Sequence, residues 1–205
     1  MTALPRLATA MNSADDPGVL RTVGMPGVAL AAWTRRPPAS FQAWLDGLPP
    51  ERLPRLRRTL PAADVTDAVS AACTRAGTPA GAHRDHLLAD LALIVRLASE
   101  ALAAPLVELR LDVSEGQACP HWHIDSVRGR LLCTLRGPGT EFGPARPDGA
   151  LSVVHRLPTG AVGLFRGLLW PGREISGIVH RSPPADAGTT RLLVVVDPVD
   201  AAHPC

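Results

Sequence analysis

The order of the hydrophobic patterns constrains this chain most. Helical periodicity occupies the stretch before Pro105, and strand periodicity occupies nearly everything after it. In the first half, Val28 to Trp33 reads as a short strand ended by Pro37-Pro38. Ser40 then caps a helix carrying Phe41, Trp44 and Leu45. Leu53 to Leu60 reads as a strand or a connector. Ala62 to Thr74 is a helix with Val65, Val69 and Ala72 on one face, broken by Gly77 to Gly81 with Pro79 between them. Arg84 to Ala103 is the longest helix and is apolar on most sides, which places it against a sheet.

After Pro105 the period changes to two. Leu106 to Val113 puts Val107, Leu109, Leu111 and Val113 on one face. Arg130 to Arg136, Leu151 to Leu157, Ala161 to Arg166, Ile175 to Arg181 and Arg191 to Val196 follow, with Pro158-Thr-Gly160 as a turn. Helices followed by six to eight strands predict an α+β protein. Its core is a double-stranded β-helix, a jelly-roll or cupin-like barrel, with N-terminal helices packed outside. Residues 1–24 read as an irregular arm and 25–205 as one domain, helical over 25–104 and β-rich over 105–205.

Composition narrows the function classes. The 205 residues suffice for one buried core, and 46% hydrophobic with 20% charged residues excludes a disordered chain. A net charge of +2 implies neither a nucleic-acid nor a membrane partner. Every basic residue is arginine, which reads as genome composition, so an arginine alone does not mark a phosphate site. The most apolar stretch, Leu87 to Leu102, carries Asp90, Arg96 and Glu100 and is a buried helix rather than a membrane span. With no secretory signal pattern, a cytoplasmic location is expected. Cys73, Cys119, Cys133 and Cys205 form no Cys-x-x-Cys pair. A Cys119–Cys133 disulfide is disfavoured in a reducing compartment.

Two segments carry the chemistry. Cys119-Pro-His-Trp-His-Ile-Asp125 offers His123-x-Asp125, and Ile178-Val-His-Arg-Ser-Pro-Pro184 offers His180, with Arg191 beyond it. On an extended backbone Cys119, His121, His123 and Asp125 share one face. His180 is remote enough in sequence for barrel strands to intervene. Two imidazoles and a carboxylate leave the opposite face of a metal open, which suits non-haem Fe(II). Arg191 opens the next strand, and its planar fork suits the far carboxylate of a dicarboxylic cosubstrate such as 2-oxoglutarate. Arg130 and Thr134 on a neighbouring strand are candidates to add hydrogen bonds to that cosubstrate. Cys119 and His121 are alternative ligands, and a thiolate would shift the preference to zinc.

His123-x-Asp125, His180 and Arg191 resemble the metal triad and cosubstrate arginine of Fe(II)/2-oxoglutarate-dependent dioxygenases. A longer set of motifs is similar to an uncharacterised bacterial family, domain of unknown function 1826. These are Cys119-Pro, His123-x-Asp125, Arg130-Leu-Leu-Cys-Thr134, Gly137-Pro-Gly-Thr-Glu141, Arg166-Gly167, and His180-Arg-Ser-Pro-Pro184 followed by Arg191-Leu-Leu. That resemblance runs from about residue 27 onward. It implies metal handling without fixing the metal. The expectation is therefore an Fe(II)/2-oxoglutarate oxygenase acting on a small-molecule or protein substrate. The alternative is a zinc-binding or metal-homeostasis module without oxygenase activity.

Other motifs carry less. His83-Arg-Asp85, with His86, reads as a helix start, where Asp85 favours the N-terminus electrostatically. Gly137-Pro-Gly-Thr-Glu141 lacks the Gly-Lys-Ser/Thr ending of a phosphate loop and reads as a rigid turn placing Thr140 and Glu141 at the pocket rim. Ser182 has no nucleophile elbow around it. Trp122 is a candidate to flank the pocket.

Overall fold

Alternation along the long strands sorts the side chains into layers. The computed structural model describes residues 6–146 and 151–199. Strands β1 (Arg6–Ala8), β2 (Ala10–Ala14) and β3 (Val28–Trp33) come first. Helix α1 (Ala39–Gly47), strand β4 (Leu56–Pro61), and helices α2 (Val65–Ala76) and α3 (Ala82–Ala101) follow. The remaining strands are β5 (Leu106–Glu115), β6 (Gly129–Arg136), β7 (Glu141–Pro144), β8 (His155–Arg156) and β9 (Val162–Arg166). The last are β10 (Glu174–Ser176), β11 (Ile178–Arg181) and β12 (Thr190–Pro198).

Seven strands form one sheet in the order β2-β3-β9-β6-β12-β5-β4, and β11-β7-β8 form a smaller one. One set of alternate residues on the large sheet, including Leu109, Leu111, Leu131, Cys133, Val162, Leu164, Leu192, Val194 and Val196, packs with the buried faces of the three helices. The other set, including Leu30, Leu132, Phe165 and Val195, packs with Phe142 and Ile178 of the small sheet. The large sheet is thus covered on both faces, which is why its central strands are buried along almost their whole length. The result is a mixed α+β architecture with a jelly-roll-like core. Among the described residues, no helix is long and apolar enough to cross a membrane.

Several local expectations are corrected. Residues 6–24 are not irregular: β2 pairs in parallel with β3, β1 with β10, and a 3-10 helix at 17–24 buries Leu20 and Val23. The Asp16 side chain caps that turn by accepting the Gly18 N–H. Ser40 lies inside α1, whose N-cap is Pro38 without a side-chain cap. The strand expected over Leu151–Leu157 shrinks to β8, because Val153 crosses over Gly143 so closely that a Cβ there would lie 2.1 Å from its carbonyl oxygen. Ile175–Arg181 divides at Gly177, where one run of chain stops pairing with β1 and starts pairing with β7. His83 and His86 sit at the start of α3 against Phe41. Cys119 and Cys133 are free thiols. Cys133 is fully buried on the helical side of β6, where burial pushes its pKa up to about 11. Cys205 lies outside the described residues.

Candidate metal centre

The chain around His123 runs beside β11. His123 and His180 exchange both backbone hydrogen bonds, at 3.1 and 3.0 Å, so their rings stand together with centroids 4.6 Å apart. Asp125, two residues on, is brought inward by the bonds that Leu168 N–H and Leu169 N–H donate to the Asp125 and Val127 carbonyls. Gly167 permits this approach, since a Cβ there would lie 1.9 Å from the Val127 oxygen. One nitrogen or carboxylate oxygen from each of His123, Asp125 and His180 then falls within 4.8 Å of the others. Asp125 and His180 are buried, and His123 is half-buried.

The donor set fits a cation. Asp125 Oδ2 is buried and accepts no directed hydrogen bond, although His180 Nε2 stands 3.0 Å away. His123 Nε2 is 3.5 Å from Asp125 Oδ1. Donors at about 2.1 Å from one ion and at right angles to each other are separated by about 3 Å. His123 Nδ1 lies 2.8 Å from the His121 carbonyl, which holds the proton on Nδ1 and leaves Nε2 as a lone-pair donor. Burial would raise the Asp125 pKa, but contact with His180 and the electrostatic influence of His180, Arg130 and His123 outweigh it and hold the carboxyl below its ordinary range.

The alternative ligands stand elsewhere. Cys119 Sγ is 3.8 Å from His123 Nδ1, the nitrogen already engaged, and is not among the converging atoms. The His121 side chain is exposed, and its carbonyl is what serves the site.

Arg130 reaches Asp125 Oδ1 through Nη1, and its Nε and Nη2 donate to the two oxygens of Asp197 at 2.7 Å each. It therefore buttresses the triad carboxylate while lining the cavity. Asp197 was not singled out in the sequence. Its signal is weak: one carboxylate ending an apolar run, on the parity that faces away from the helices.

Arg191 is 3% exposed. Its Nε donates to the Pro138 carbonyl (3.0 Å), and Nη2 donates to the Thr134 and Thr140 hydroxyls (2.9 and 2.8 Å). Among the described residues it has no carboxylate partner and Nη1 makes no hydrogen bond. Burial drops its pKa to about 10, against a small opposing effect of Asp112. Thr134 thus orients Arg191, and the turn at Gly137 supplies Thr140. Glu141 is buried between Arg156 and Arg181, away from the cavity lining. A cavity of about 270 Å³ is lined by Arg191, Thr140, His123, His180 and Arg130 among others, and Arg181 on its wall stacks over Trp122 at 4.3 Å. Arg191 and Arg130 both line this cavity, Arg191 held by Thr134 and Arg130 holding Asp125.

The fold is one found in dioxygenases of known structure. Dioxygenase for auxin oxidation 1 from Arabidopsis thaliana, solved as its 2-oxoglutarate binary complex, aligns over 98% of this chain and 94% of its own, with a TM-score of 0.56 and 11% identity. The rice dioxygenase for auxin oxidation aligns over 96% and 83%, with a TM-score of 0.52 and 17% identity. At these identities the likeness is one of fold. The chain itself belongs to the family described as protein of unknown function (DUF1826), whose model matches residues 14–197, beginning earlier than the motifs alone suggest. No curated protein matches it in sequence.

Proposed function

We propose that this protein is an Fe(II)/2-oxoglutarate-dependent oxygenase. The observation that carries the reading is Arg191, a buried guanidinium with no carboxylate partner among the described residues, in the cavity that His123 and His180 of the two-histidine, one-carboxylate cluster line. A buried cation without a counter-ion is costly unless a ligand supplies one. A dicarboxylate that reaches from the triad to Arg191 is such a ligand.

His123, Asp125 and His180 would hold the metal, which when bound supplies the redox chemistry coupling oxidative decarboxylation of the cosubstrate by O₂ to substrate oxidation. Arg191 binds the far carboxylate. Thr134, Thr140 and the Pro138 carbonyl fix the guanidinium in advance, so little is lost in ordering it. Arg130 holds Asp125 through one nitrogen while Asp197 holds Arg130. Phe165, with its ring centroid 5.0 Å from that of His180, keeps water from one side of the cluster.

Titration calorimetry of 2-oxoglutarate into the metal-loaded protein tests this. Binding should require the metal and should weaken in Arg191→Met, while Cys119→Ser leaves it unchanged. Binding that survives Asp125→Ala, or metal affinity that depends on Cys119, would favour a zinc-binding module instead.

A further inference from the structure

Beyond the triad, the cavity wall carries an arginine whose partners do not satisfy it. Arg110 on β5 faces the cavity, and its Nε is buried without a hydrogen bond. Its ion-pair contacts are long: Nη2 lies 3.3 Å from Asp197 and Nε 3.6 Å from Glu108 Oε1. Asp197 is already engaged by two 2.7 Å bonds from Arg130, and Glu108 Oε1 is also the partner of Arg57 at 3.3 Å. Arg57 stands directly opposite Arg110 in the β4–β5 register. Like charges facing each other across strands destabilise a sheet, and the one carboxylate between this pair, Glu108, is shared by both through a single oxygen. Two carboxylates, Glu108 and Asp197, are thus shared among three guanidinium groups.

Position gives the pair its meaning. Arg110 pairs with Val195, four residues along β12 from Arg191, or about 13 Å at strand spacing. Along β12, Arg110 stands level with Val195, between Arg191 and Asp197, the residue that holds Arg130 beside Asp125. A second depression, lined in part by Arg55, Arg57 and Asp112, adjoins the cavity, with Asp112 lining both. Asp112 is the opposing group, an exposed carboxylate on the same strand with no ion pair among the described residues.

Building on the oxygenase reading, we propose that the primary substrate carries an oxyanion, a carboxylate or a phosphate, which docks on Arg110 with Arg57 beside it. The anion satisfies the orphaned Nε and relieves the cross-strand repulsion. It also tethers the substrate on the wall of the cavity that His123 and His180 line.

The test uses zinc-loaded protein with ¹⁵N-labelled arginine, titrated with acetate, with inorganic phosphate and with acetamide as a neutral control. The Arg110 Nε–H resonance is assigned by its loss in Arg110→Gln. Acetate or phosphate should move it saturably and acetamide should not, and whichever anion saturates identifies the class of headgroup. Arg57→Gln, which removes a mostly exposed side chain, should weaken that binding at least about threefold. Asp112→Asn should strengthen it, and saturating 2-oxoglutarate should leave it intact. No saturable shift with either anion, an equal response to acetamide, or displacement by 2-oxoglutarate overturns the proposal. The Arg191 resonance reports separately: if 2-oxoglutarate does not move it, the cosubstrate reading fails whatever the anions do at Arg110.

Discussion

Arg191 is the residue on which structure and chemistry pull in opposite directions. Its burial lowers the pKa to about 10, and neutral acceptors hold it in place of an acid. A purely structural arginine would leave a large stability loss behind when removed. Here, Arg191→Met gives up three hydrogen bonds but also an unpaired buried charge, so chemical denaturation should show a change within about 1 kcal/mol. Cosubstrate binding, by contrast, should lose about 2–5 kcal/mol, or roughly 30-fold and upward in Kd, because the ligand's carboxylate loses its charged partner. A variant that is grossly unstable with unaltered affinity would make Arg191 a structural residue. The pairing of His123-x-Asp125 with His180 was legible in sequence because strand parity and separation suffice to suggest convergence. The role of Arg130 was not. Its register with Asp197 depends on how β6 and β12 pair, and no local pattern encodes that.

At the scale of elements, the site depends on how two short pieces of chain are pinned. The small sheet is tied across its middle by Glu141, whose oxygens accept from Arg156 on β8 (2.6 Å) and Arg181 on β11 (2.9 Å). Burial raises the Glu141 pKa, and the two guanidinium groups outweigh it, so the folded-state value lies below the ordinary glutamate range. A depressed carboxylate stabilises above its unfolded pKa and loses that contribution as pH falls through the folded one. Glu141→Gln should therefore be less stable than wild type by about 1.5–3 kcal/mol at neutral pH, with the two curves converging in acid. A gap independent of pH would show that Glu141 acts through packing alone. The 125–127 segment is pinned against Gly167. Gly167→Ala should cost about 1–3 kcal/mol and weaken metal binding as well, because the added Cβ meets the Val127 and Asp125 carbonyls. Unchanged metal affinity in that variant would mean that Asp125 is placed by something other than this contact. The sequence signalled these elements unevenly. Long helices with a clear apolar face were legible, whereas β1 and β2 were not, because Arg6–Ala14 has few β-branched and no aromatic residues and is strand through its pairing with β3 and β10.

The molecule as a whole is a large sheet sandwiched between helices and a smaller sheet, with the candidate metal cluster on the side of the small sheet. That arrangement explains why β12 can read as an almost unbroken apolar run while presenting Arg191 and Asp197 to one face and Leu192, Val194 and Val196 to the other. The helix-then-strand order in sequence foretold the α+β class. The division of the strands between two sheets was not legible, because jelly-roll neighbours are remote in sequence and the Gly177 switch looks like a continuous strand. If the triad and Arg191 serve one bound cosubstrate, anaerobic addition of Fe(II) and then 2-oxoglutarate should give a weak visible charge-transfer band. That band should saturate with 2-oxoglutarate, be lost in His180→Ala and be weakened in Arg191→Met. A featureless spectrum together with tight zinc binding by the wild-type protein would contradict that shared role.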